Sequence, residues 1–426
     1  MLFVHGSLAI GGIETFYVRM AQCRKKKGLI TKFLILSPEG KSDAELVSRA
    51  RECADVYFLN EVLSPRLPKC AVLYHFSLLY PLQKNILKEI FDGISSAHVS
   101  NGFCAHVFIR LSAIVRTNLP VSIGLYHSME FSWGGSLKAL PFFEENNRQI
   151  FSHLHKAHGL IFFNEKMVER YSTVTGKDFS DVSLFPLGVV HQSANAKPKV
   201  FNSELTICSV GRLVEFKGYN LWMLDVVSDL RKLGIKASYH IYGYGPLEKK
   251  MLDKIKALDL AEIVFLKGSL EYSAFADVVS QFDVFVGSGT ALVEAAGLGV
   301  PSLVGIENTH EPSTYGFLSE LPGFSYNEDG LYSKKDVLDI LVDFNGYSEV
   351  EKQVLSKAHK EKSKMFSVEA CVENFEKICP DPVMSPGLIM KSRLLYRLFY
   401  TGSFFFYSLL LKLKGRTLSQ VVSTVE

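Results

Sequence analysis

The stretch LTICSVGRLVEFKGYN, residues 205–220, decides the fold. An apolar run that begins at Leu205 ends at Gly211, a short loop follows, and helical sequence begins near Tyr219. A short apolar run bounded by glycine is typical of a buried parallel strand, and a helix directly after it is the repeating unit of a doubly wound sheet. The stretch therefore predicts a strand, a loop and a helix at the head of an α/β domain.

The sequence that follows continues this alternation. A helix is predicted near 219–233, a second from about 246 to 258, and a closing helix, SVEACVENFEKIC, near 367–379. Four apolar runs predict the further strands of this sheet: ASYHIYG (237–243), EIVFLKG (262–268), DVFVG (283–287) and PSLVGI (301–306).

The sequence before the stretch has the same rhythm. LFVHG (2–6) predicts a first strand rather than a signal peptide, and GIETFYVRMAQCRKK (12–26) predicts the helix after it. The further predicted strands are KFLILS (32–37), DVYFL (55–59), VLYHF (72–76), SAHVS (96–100), VSIGLYH (121–127) and GLIFFN (159–164). The fold class predicted is thus α/β, with two doubly wound parallel-sheet domains and a ligand in the cleft between them, beyond the carboxyl ends of the strands.

Polar sequence separates the two halves and sets the expected boundaries. Residues 191–204, HQSANAKPKVFNSE, have the composition of a linker. We therefore expect an N-terminal domain over 1–190, this linker, a second domain over 205–365, a closing helix over 366–381 and a tail over 382–426.

Composition bounds the class of protein. With 426 residues, 47% of them apolar and 21% charged, the chain is long enough for two full cores and is not mainly disordered. Its seven cysteines are scattered without a C-x-x-C pair, which argues against zinc ribbons and disulfide frameworks and favours reduced thiols in the cytosol. The tail 382–426 has a net charge of +5, which leaves −2 for residues 1–381 of the total of +3. This distribution argues against nucleic-acid binding by residues 1–381. It favours contact between the basic tail and an anionic surface.

Two basic residues carry the sharpest chemical signal. Arg212 and Lys217 follow the strand that ends at Gly211, beside the predicted start of a helix. Arginine offers a planar fork to phosphate oxygens, lysine a point charge, and the helix dipole a partial positive charge. Together they can hold a diphosphate and stabilise it as a leaving group without a metal ion, and the chain contains no D-x-D motif. The alternative is a pair of solvated basic residues on a surface loop.

The segment GRLVEFKG (211–218) resembles the G-R-x-x-x-x-K-G motif of the retaining, GT-B-fold glycosyltransferases of family 4, glycosyl transferases group 1. Further segments resemble that family in the order that it requires, over roughly residues 1–380: IGGIETFYVRMAQ (10–22), GLYHS (124–128), GLIFFNEKM (159–167), LFPLGV (184–189), HIYGYGP (240–246), VFLKGSL (264–270) and VEAAGLGVPSL (293–303).

The resemblance implies roles for individual residues. His127 would be catalytic together with Arg212 and Lys217, by hydrogen-bonding the donor sugar or the reaction centre, and Glu294 would bind the donor ribose. The predicted donor-binding residues are Gly11, Gly12, Gly211, Arg212, Lys217, Gly243, Gly268, Gly289, Thr290 and Glu294. For His127 the alternative is an ordinary strand-end polar residue; His5 is a weaker candidate, and Glu14 is expected to cap the first helix.

The chain departs from the family at one place. The family carries two glutamates eight positions apart, but here the loop VGSGTALVE (286–294) is shortened and Val286 occupies the first position. The backbone N–H groups of Gly289 and Thr290 can replace that glutamate as ligands; an equally open alternative is a helix capped by Ser288 or Thr290.

The same loop supports a competing hypothesis. Gly287, Ser288 and Gly289 follow a strand and precede a helix, and Glu307 lies twenty residues beyond the first glycine, as in much of a dinucleotide-binding fingerprint. Leu292, however, stands at the third glycine position. Two further hypotheses compete with a transferase: a catalytically silent sugar-nucleotide-binding partner subunit, and a sugar-nucleotide epimerase.

The tail contains a second interaction signal. GLIMKSRLLYRLFYTGSFFFYSLLLKLKGR (387–416) holds no acidic residue, and its uncharged run, residues 398–411, is shorter than the roughly 20 residues that span a bilayer. Basic residues flanking an aromatic-rich apolar stretch favour a helix in an anionic membrane interface; the alternative is a helix pair that covers the first domain.

These features predict a metal-independent, retaining hexosyltransferase-type enzyme. Its expected partners are a nucleotide-diphosphate sugar as donor and, as acceptor, a glycan hydroxyl, in particular a lipid-linked glycan of cell-surface polysaccharide synthesis. Peripheral contact with the inner face of the cell membrane through the tail is expected, and neither a metal, another cofactor nor a nucleic acid is.

Overall fold

The computed structural model describes residues 1–9, 11–65, 76–127, 129–133, 140–191, 199–382, 386–416 and 418. Within it the chain forms two compact units, the first made of Met1–Gly188 with Cys371–Glu426, and the second of Val189–Ala370. The predicted strand at 72–76 lies, except for Phe76, outside the described residues, as do residues 192–198 of the predicted linker and 383–385, 417 and 419–426 of the tail.

The first unit is built on a seven-stranded sheet in which every pairing is parallel, with the order β3-β2-β1-β4-β5-β6-β7. Its strands are β1 Leu2–His5, β2 Lys32–Ile35, β3 Asp55–Phe58, β4 Ala97–Val99, β5 Val121–Leu125, β6 Leu160–Phe162 and β7 Ser183–Leu184. The central strands are buried along their whole length because helices cover both faces, which is why they appear in the sequence as continuous apolar runs.

Helices connect these strands in the described part of the first unit. They are α1 Gly12–Lys26, α2 Ala44–Arg51, α3 Leu59–Val62, α4 Lys84–Phe91, α5 Gly102–Val115, α6 Phe142–Lys156 and α7 Glu165–Thr175. Asparagine side chains cap two of them: Asn101 accepts from the Cys104 N–H, and Asn164 accepts from the Met167 N–H.

The second unit is built on a five-stranded parallel sheet with the order β10-β9-β8-β11-β12. Its strands are β8 Leu205–Val210, β9 Ala237–Tyr242, β10 Val264–Gly268, β11 Val284–Gly287 and β12 Ser302–Val304; β13 Ser313–Thr314 and β14 Lys335–Asp336 form a separate antiparallel pair. The order reverses direction at β8, so the carboxyl ends of β8 and β11 flank the topological switch point, where ligands bind in open parallel sheets.

The helices of this unit cover the five-stranded sheet, and those after it return to the first unit. They are α8 Tyr219–Lys232, α9 Glu248–Ala257, α10 Phe275–Val279, α11 Thr290–Gly297, α12 Val337–Gly346, α13 Glu349–Ser363, α14 Val368–Lys377, α15 Pro386–Lys391 and α16 Leu394–Leu413. α14 continues across the division between the units, and α15 and α16 belong to the first unit.

Each unit has its own apolar core. The first gathers side chains from both faces of its sheet and includes Trp133 and Tyr400, and the second is built around Ile207, Trp222 and Tyr239. The prediction of an α/β fold with two doubly wound parallel sheets is confirmed. Six of the seven cysteines lie in described parts of the chain, and all six are unpaired.

Candidate functional site

The loop after β8 lies flat against the turn after β9. The Gly211 N–H donates to the Tyr242 carbonyl (2.9 Å), the Leu213 N–H to the Tyr244 carbonyl (3.0 Å), and the Leu247 N–H to the Leu213 carbonyl (3.1 Å). The Leu213 side chain is 1% exposed and joins the core of the second unit. The loop that carries Arg212 is therefore fixed by the buried side chain of Leu213 and by three backbone hydrogen bonds to the end of β9 and the segment after it.

Within this loop the two predicted cations stay accessible. Arg212 is exposed and Lys217 is half-buried, and the Lys217 Nζ lies 3.3 Å from the position that a Cβ on Gly211 would occupy. Lys217 thus reaches back over the end of β8. α8 begins just after it, and no side chain caps that helix at Gly218. In the described part of the chain no carboxylate oxygen lies within 4.0 Å of a side-chain nitrogen of Arg212 or Lys217. The arrangement suits an anion at the start of α8.

Close backbone packing explains two of the glycines at this edge. A Cβ on Gly243 would lie 1.8 Å from the Gly211 carbonyl oxygen, and one on Gly218 would lie 2.3 Å from the Thr309 carbonyl oxygen. The Gly243 N–H also donates to the Gly268 carbonyl (2.7 Å). The structure therefore brings Gly211, Gly243 and Gly268 together as neighbours at the carboxyl ends of β8, β9 and β10.

The loop after β11 is held by residues from later in the chain. Ser288 Oγ donates to Glu307 Oε1 (2.8 Å), the Gly289 N–H donates to Asn327 Oδ1 (2.8 Å), and the Tyr326 hydroxyl donates to the Gly289 carbonyl (3.1 Å). α11 begins at Thr290 with Gly289 as its N-cap and no side-chain cap.

This geometry corrects two interpretations of the loop. The alternative of a cap by Ser288 or Thr290 is wrong, because neither side chain caps α11 and Ser288 bonds to Glu307 instead. The anion contact predicted for the Gly289 N–H is not available here, because Asn327 occupies that donor. Asn327 lies 38 residues from Gly289 in the chain, so no local pattern in the sequence points to it.

Burial and charge act in opposite directions on Glu307. Burial raises the pKa of its carboxyl above the usual range, while the positive charges of Lys217 and Arg212 and the hydrogen bond from Ser288 act to lower it. Glu307 therefore lies near enough to both predicted phosphate-binding residues for their charges to act on its carboxyl, a position that the dinucleotide hypothesis does not predict. Glu294 lies half-buried in the second turn of α11.

In the first unit, the glycine loop and His127 lie at the same edge of one sheet. Gly11 is the N-cap of α1, and Gly12 is its exposed first residue, just after β1. His127 is exposed and follows β5, which is separated from β1 only by β4. Strands in a sheet lie about 4.8 Å apart, so the ends of β1 and β5 are separated by about 10 Å.

Histidines behind this edge are structural in character. His5 Nε2 lies 3.2 Å from Glu14 Oε1, and the N-cap of α1 is Gly11; the capping role of Glu14 stays a prediction. His98 on β4 contacts the Ser122 and Tyr126 hydroxyls (2.9 and 2.8 Å), and burial lowers its pKa to about 3, so it is neutral. Among the described residues, no group of three or more His, Cys, Asp or Glu side chains is placed to hold a metal ion.

The last helix gives the first unit an exposed apolar face. α16 packs along α6: Tyr400 is 1% exposed, its hydroxyl donates to Asn147 Oδ1 (2.8 Å), and the Phe143 N–H donates to Ser403 Oγ (3.3 Å). The opposite side carries large apolar side chains open to solvent, at Leu394, Leu395, Leu398, Phe399, Phe405, Phe406, Leu409, Leu410 and Leu413. By length and composition α16 is also the one helix in the described chain that is long and apolar enough to cross a membrane.

Solved structures with the same architecture identify the class. The structure of Anabaena Alr3699/HepE in complex with UDP and glucose aligns with a TM-score of 0.59 at 14% identity, over 88% of this chain and 98% of that one. A mutant of S. aureus TarM, in complex with fondaparinux, alpha-GlcNAc-glycerol and UDP, aligns with a TM-score of 0.59 at 12% identity, over 89% and 99%. The pneumococcal O-GlcNAc transferase GtfA, in complex with UDP and GlcNAc, aligns with a TM-score of 0.55 at 12% identity, over 88% and 98%. The two parallel sheets and these alignments define a protein of the GT-B fold.

The second unit also resembles a known family in sequence. Residues 191–308 match the glycosyl transferases group 1, and they include the Arg212 loop, the turn at Gly243, the start of α11 and Glu307. Over these residues the chain is similar to this family of glycosyltransferases, and the resemblance predicted from its motifs is confirmed there. No curated protein matches the chain by sequence.

Proposed function

We propose that the chain is a metal-independent, hexosyltransferase-type glycosyltransferase that moves a sugar from a nucleotide-diphosphate sugar to an acceptor hydroxyl with retention of configuration. The observation that supports this most is the Arg212 and Lys217 pair at the carboxyl end of β8, beside the uncapped start of α8. HepE was solved with UDP-glucose and GtfA with UDP and GlcNAc, and these ligands combine a diphosphate with a hexose.

The chemistry asked of the second unit is electrostatic. As the glycosidic bond breaks, negative charge develops on the leaving diphosphate, and fixed positive groups stabilise it without reorganisation. Arg212 supplies a bidentate fork, Lys217 a point charge, and α8 the partial positive charge of its first turn. A phosphate oxygen of the leaving group then accepts the proton of the attacking hydroxyl on the same face, which gives retention. The role of His127 in this step stays a prediction.

Release of nucleoside diphosphate from a panel of sugar nucleotides tests the proposal. Release that requires an acceptor extract supports transfer, whereas binding without any release supports the silent partner subunit, which Val286 in place of the first glutamate favours. Turnover without an acceptor would indicate an epimerase. Nicotinamide binding that is indifferent to Arg212→Ala would indicate the dinucleotide enzyme.

We further propose that the acceptor is a lipid-linked glycan of cell-surface polysaccharide synthesis, and that the protein lies on the cytoplasmic face of the cell membrane. The support is α16, whose outer side is apolar and whose ends carry Arg393, Lys412 and Lys414, without an acidic residue from 387 to 416. Apolar side chains insert at the headgroup boundary, and cations bind anionic lipids. Because α16 is hydrogen-bonded along α6, the proposed position is in the membrane plane rather than across it.

A further inference from the structure

Glu307 is a carboxylate in the second unit to which the glycosyl-transfer chemistry above gives no task. It follows β12, and its N–H donates to the Asn327 carbonyl (2.8 Å). The next residue ties the segment to the cation loop, because the Asn308 N–H donates to the Phe216 carbonyl (2.7 Å). Thr309 then packs against Gly218 at the start of α8. The backbone on both sides of the carboxylate is therefore fixed.

The groups that act on the Glu307 carboxylate come from two strand ends. Ser288, after β11, donates to Oε1 at 2.8 Å. Lys217 and Arg212, from the loop after β8, act on it through their charge but do not approach within the 4.0 Å of an ion pair. The Glu307 carboxyl thus lies close to the two cations assigned to the diphosphate without forming an ion pair with either.

A carboxylate near two cations favours some ligand groups over others. A phosphate oxygen beside the carboxylate would be repelled, since like charges at close range cost free energy. A hydroxyl is neutral, donates to a carboxylate, and accepts from a lysine or arginine N–H on its other side. In a nucleotide-diphosphate sugar, the hydroxyl-bearing groups next to the diphosphate are the transferred sugar on one side and the ribose on the other.

We infer that Glu307 binds a hydroxyl of the transferred sugar and so determines which sugar the donor site accepts. The inference rests on the proposed function. Glu294, on α11, is the residue assigned to the ribose, which leaves the sugar for Glu307. The loop 286–294 lacks one glutamate that the family resemblance leads us to expect, and Glu307 brings a carboxylate to the same loop through Ser288.

The substitution Glu307→Gln tests this inference while keeping the side-chain volume and an oxygen that accepts from Ser288. The control is Glu311→Gln, four residues on in the same segment, where the side chain is exposed. Calorimetry on the full chain gives two dissociation constants, one for the tightest-binding sugar nucleotide of the panel and one for the nucleoside diphosphate with the same base. Their ratio cancels the effect that removing a negative charge has on diphosphate binding.

We expect Glu307→Gln to raise the ratio of the sugar-nucleotide to the diphosphate dissociation constant by about 10- to 100-fold, because a hydrogen bond to a charged group is lost. Glu311→Gln leaves the ratio unchanged. A sugar nucleotide that lacks the contacted hydroxyl loses affinity for the unaltered protein but none for Glu307→Gln. An unchanged ratio, or equal losses for both ligands, would overturn the inference and leave the proposed function standing. Failure of every sugar nucleotide to bind the unaltered protein would instead overturn the proposed function.

Discussion

At the scale of single residues, close backbone packing shapes the edge of the second unit at the carboxyl ends of β8, β9 and β11, where the donor is proposed to bind. Gly243 is the strictest case, since its missing side chain is what lets the turn after β9 lie against the loop that carries Arg212. The motif resemblance indicated glycine at this position, but only the packing gives the reason for it. The bonds from Ser288 to Glu307 and from Gly289 to Asn327 could not be predicted, because they join residues 19 and 38 positions apart through the fold.

Gly243→Ala tests this packing. The added Cβ would meet the Gly211 carbonyl oxygen at 1.8 Å, so the loop must shift, with an expected loss of about 1–3 kcal/mol in the free energy of unfolding. Displacement of Arg212 should also weaken nucleoside diphosphate binding by about tenfold or more. Thermal melting and calorimetry measure the two effects. Gly346→Ala, in the same unit and with nothing within 4 Å of the added atom, is the control. Equal behaviour of the two variants would contradict the assignment.

At the scale of elements, the five strands of the main sheet of the second unit and the predicted helices α8, α9 and α14 follow the sequence pattern within about two residues. The run 205–211 becomes β8 Leu205–Val210, and the predicted helix near 219–233 becomes α8 Tyr219–Lys232. Short buried strands bounded by glycine are unambiguous when amphipathic helices separate them. Between residues 1 and 190 the pattern predicts only α1 among the helices. In α5, for example, ten of the fourteen residues are buried, so its sequence lacks a polar face at helical spacing. β7, with two residues, is too short for any pattern.

In the tail, α16 has the features of both hypotheses drawn from the sequence, a helix that covers the first unit and a helix that contacts a membrane. One side of α16 covers the first unit, as a packing helix would, and the other side is apolar and open to solvent, as the membrane hypothesis required. The uncharged run 398–411 has fourteen residues, whereas the helix that contains it has 20 residues and is about 30 Å long. Packing against α6 and binding to a membrane are thus compatible, because they use different sides.

Replacing Leu395, Phe406 and Leu409 by serine tests membrane binding without touching the packed side of α16. All three are more than half exposed. Each buried apolar side chain contributes about 1.5–3 kcal/mol, so the triple variant should lose at least about 100-fold in partitioning to phosphatidylglycerol-containing vesicles, measured by co-sedimentation. Val350→Ser with Val354→Ser, exposed apolar positions on α13, should bind like the unaltered protein.

Two outcomes would argue against this position for α16. Undiminished binding of the triple variant would remove the helix from the membrane contact. Retention of the unaltered protein in cell membranes after an alkaline carbonate wash would indicate a helix that crosses the bilayer, in disagreement with a peripheral position.

At the scale of the whole molecule, the motifs that carry the family resemblance are spread over both sheets in a fixed order. Arg212, Gly243 and Glu294 follow the three strands β8, β9 and β11, whose carboxyl ends share one edge of a parallel sheet. Their convergence is a consequence of topology and was therefore predictable. The sequence distinguishes Glu307 only by its spacing of twenty residues from Gly287, and its place near Lys217 and Arg212 emerges only from the fold.

The nucleotide dissociation constants of Arg212→Ala and Lys217→Ala test donor binding by the second unit most directly. If these residues hold the diphosphate, each variant should bind the nucleoside diphosphate about 10- to 100-fold more weakly, since each removes a charge-assisted hydrogen bond. The loss should be smaller for the monophosphate and absent for the nucleoside. Lys236→Ala, an exposed cation of the same unit, should change none of the three constants. Equal diphosphate dissociation constants for the unaltered protein, Arg212→Ala and Lys217→Ala would contradict the assignment.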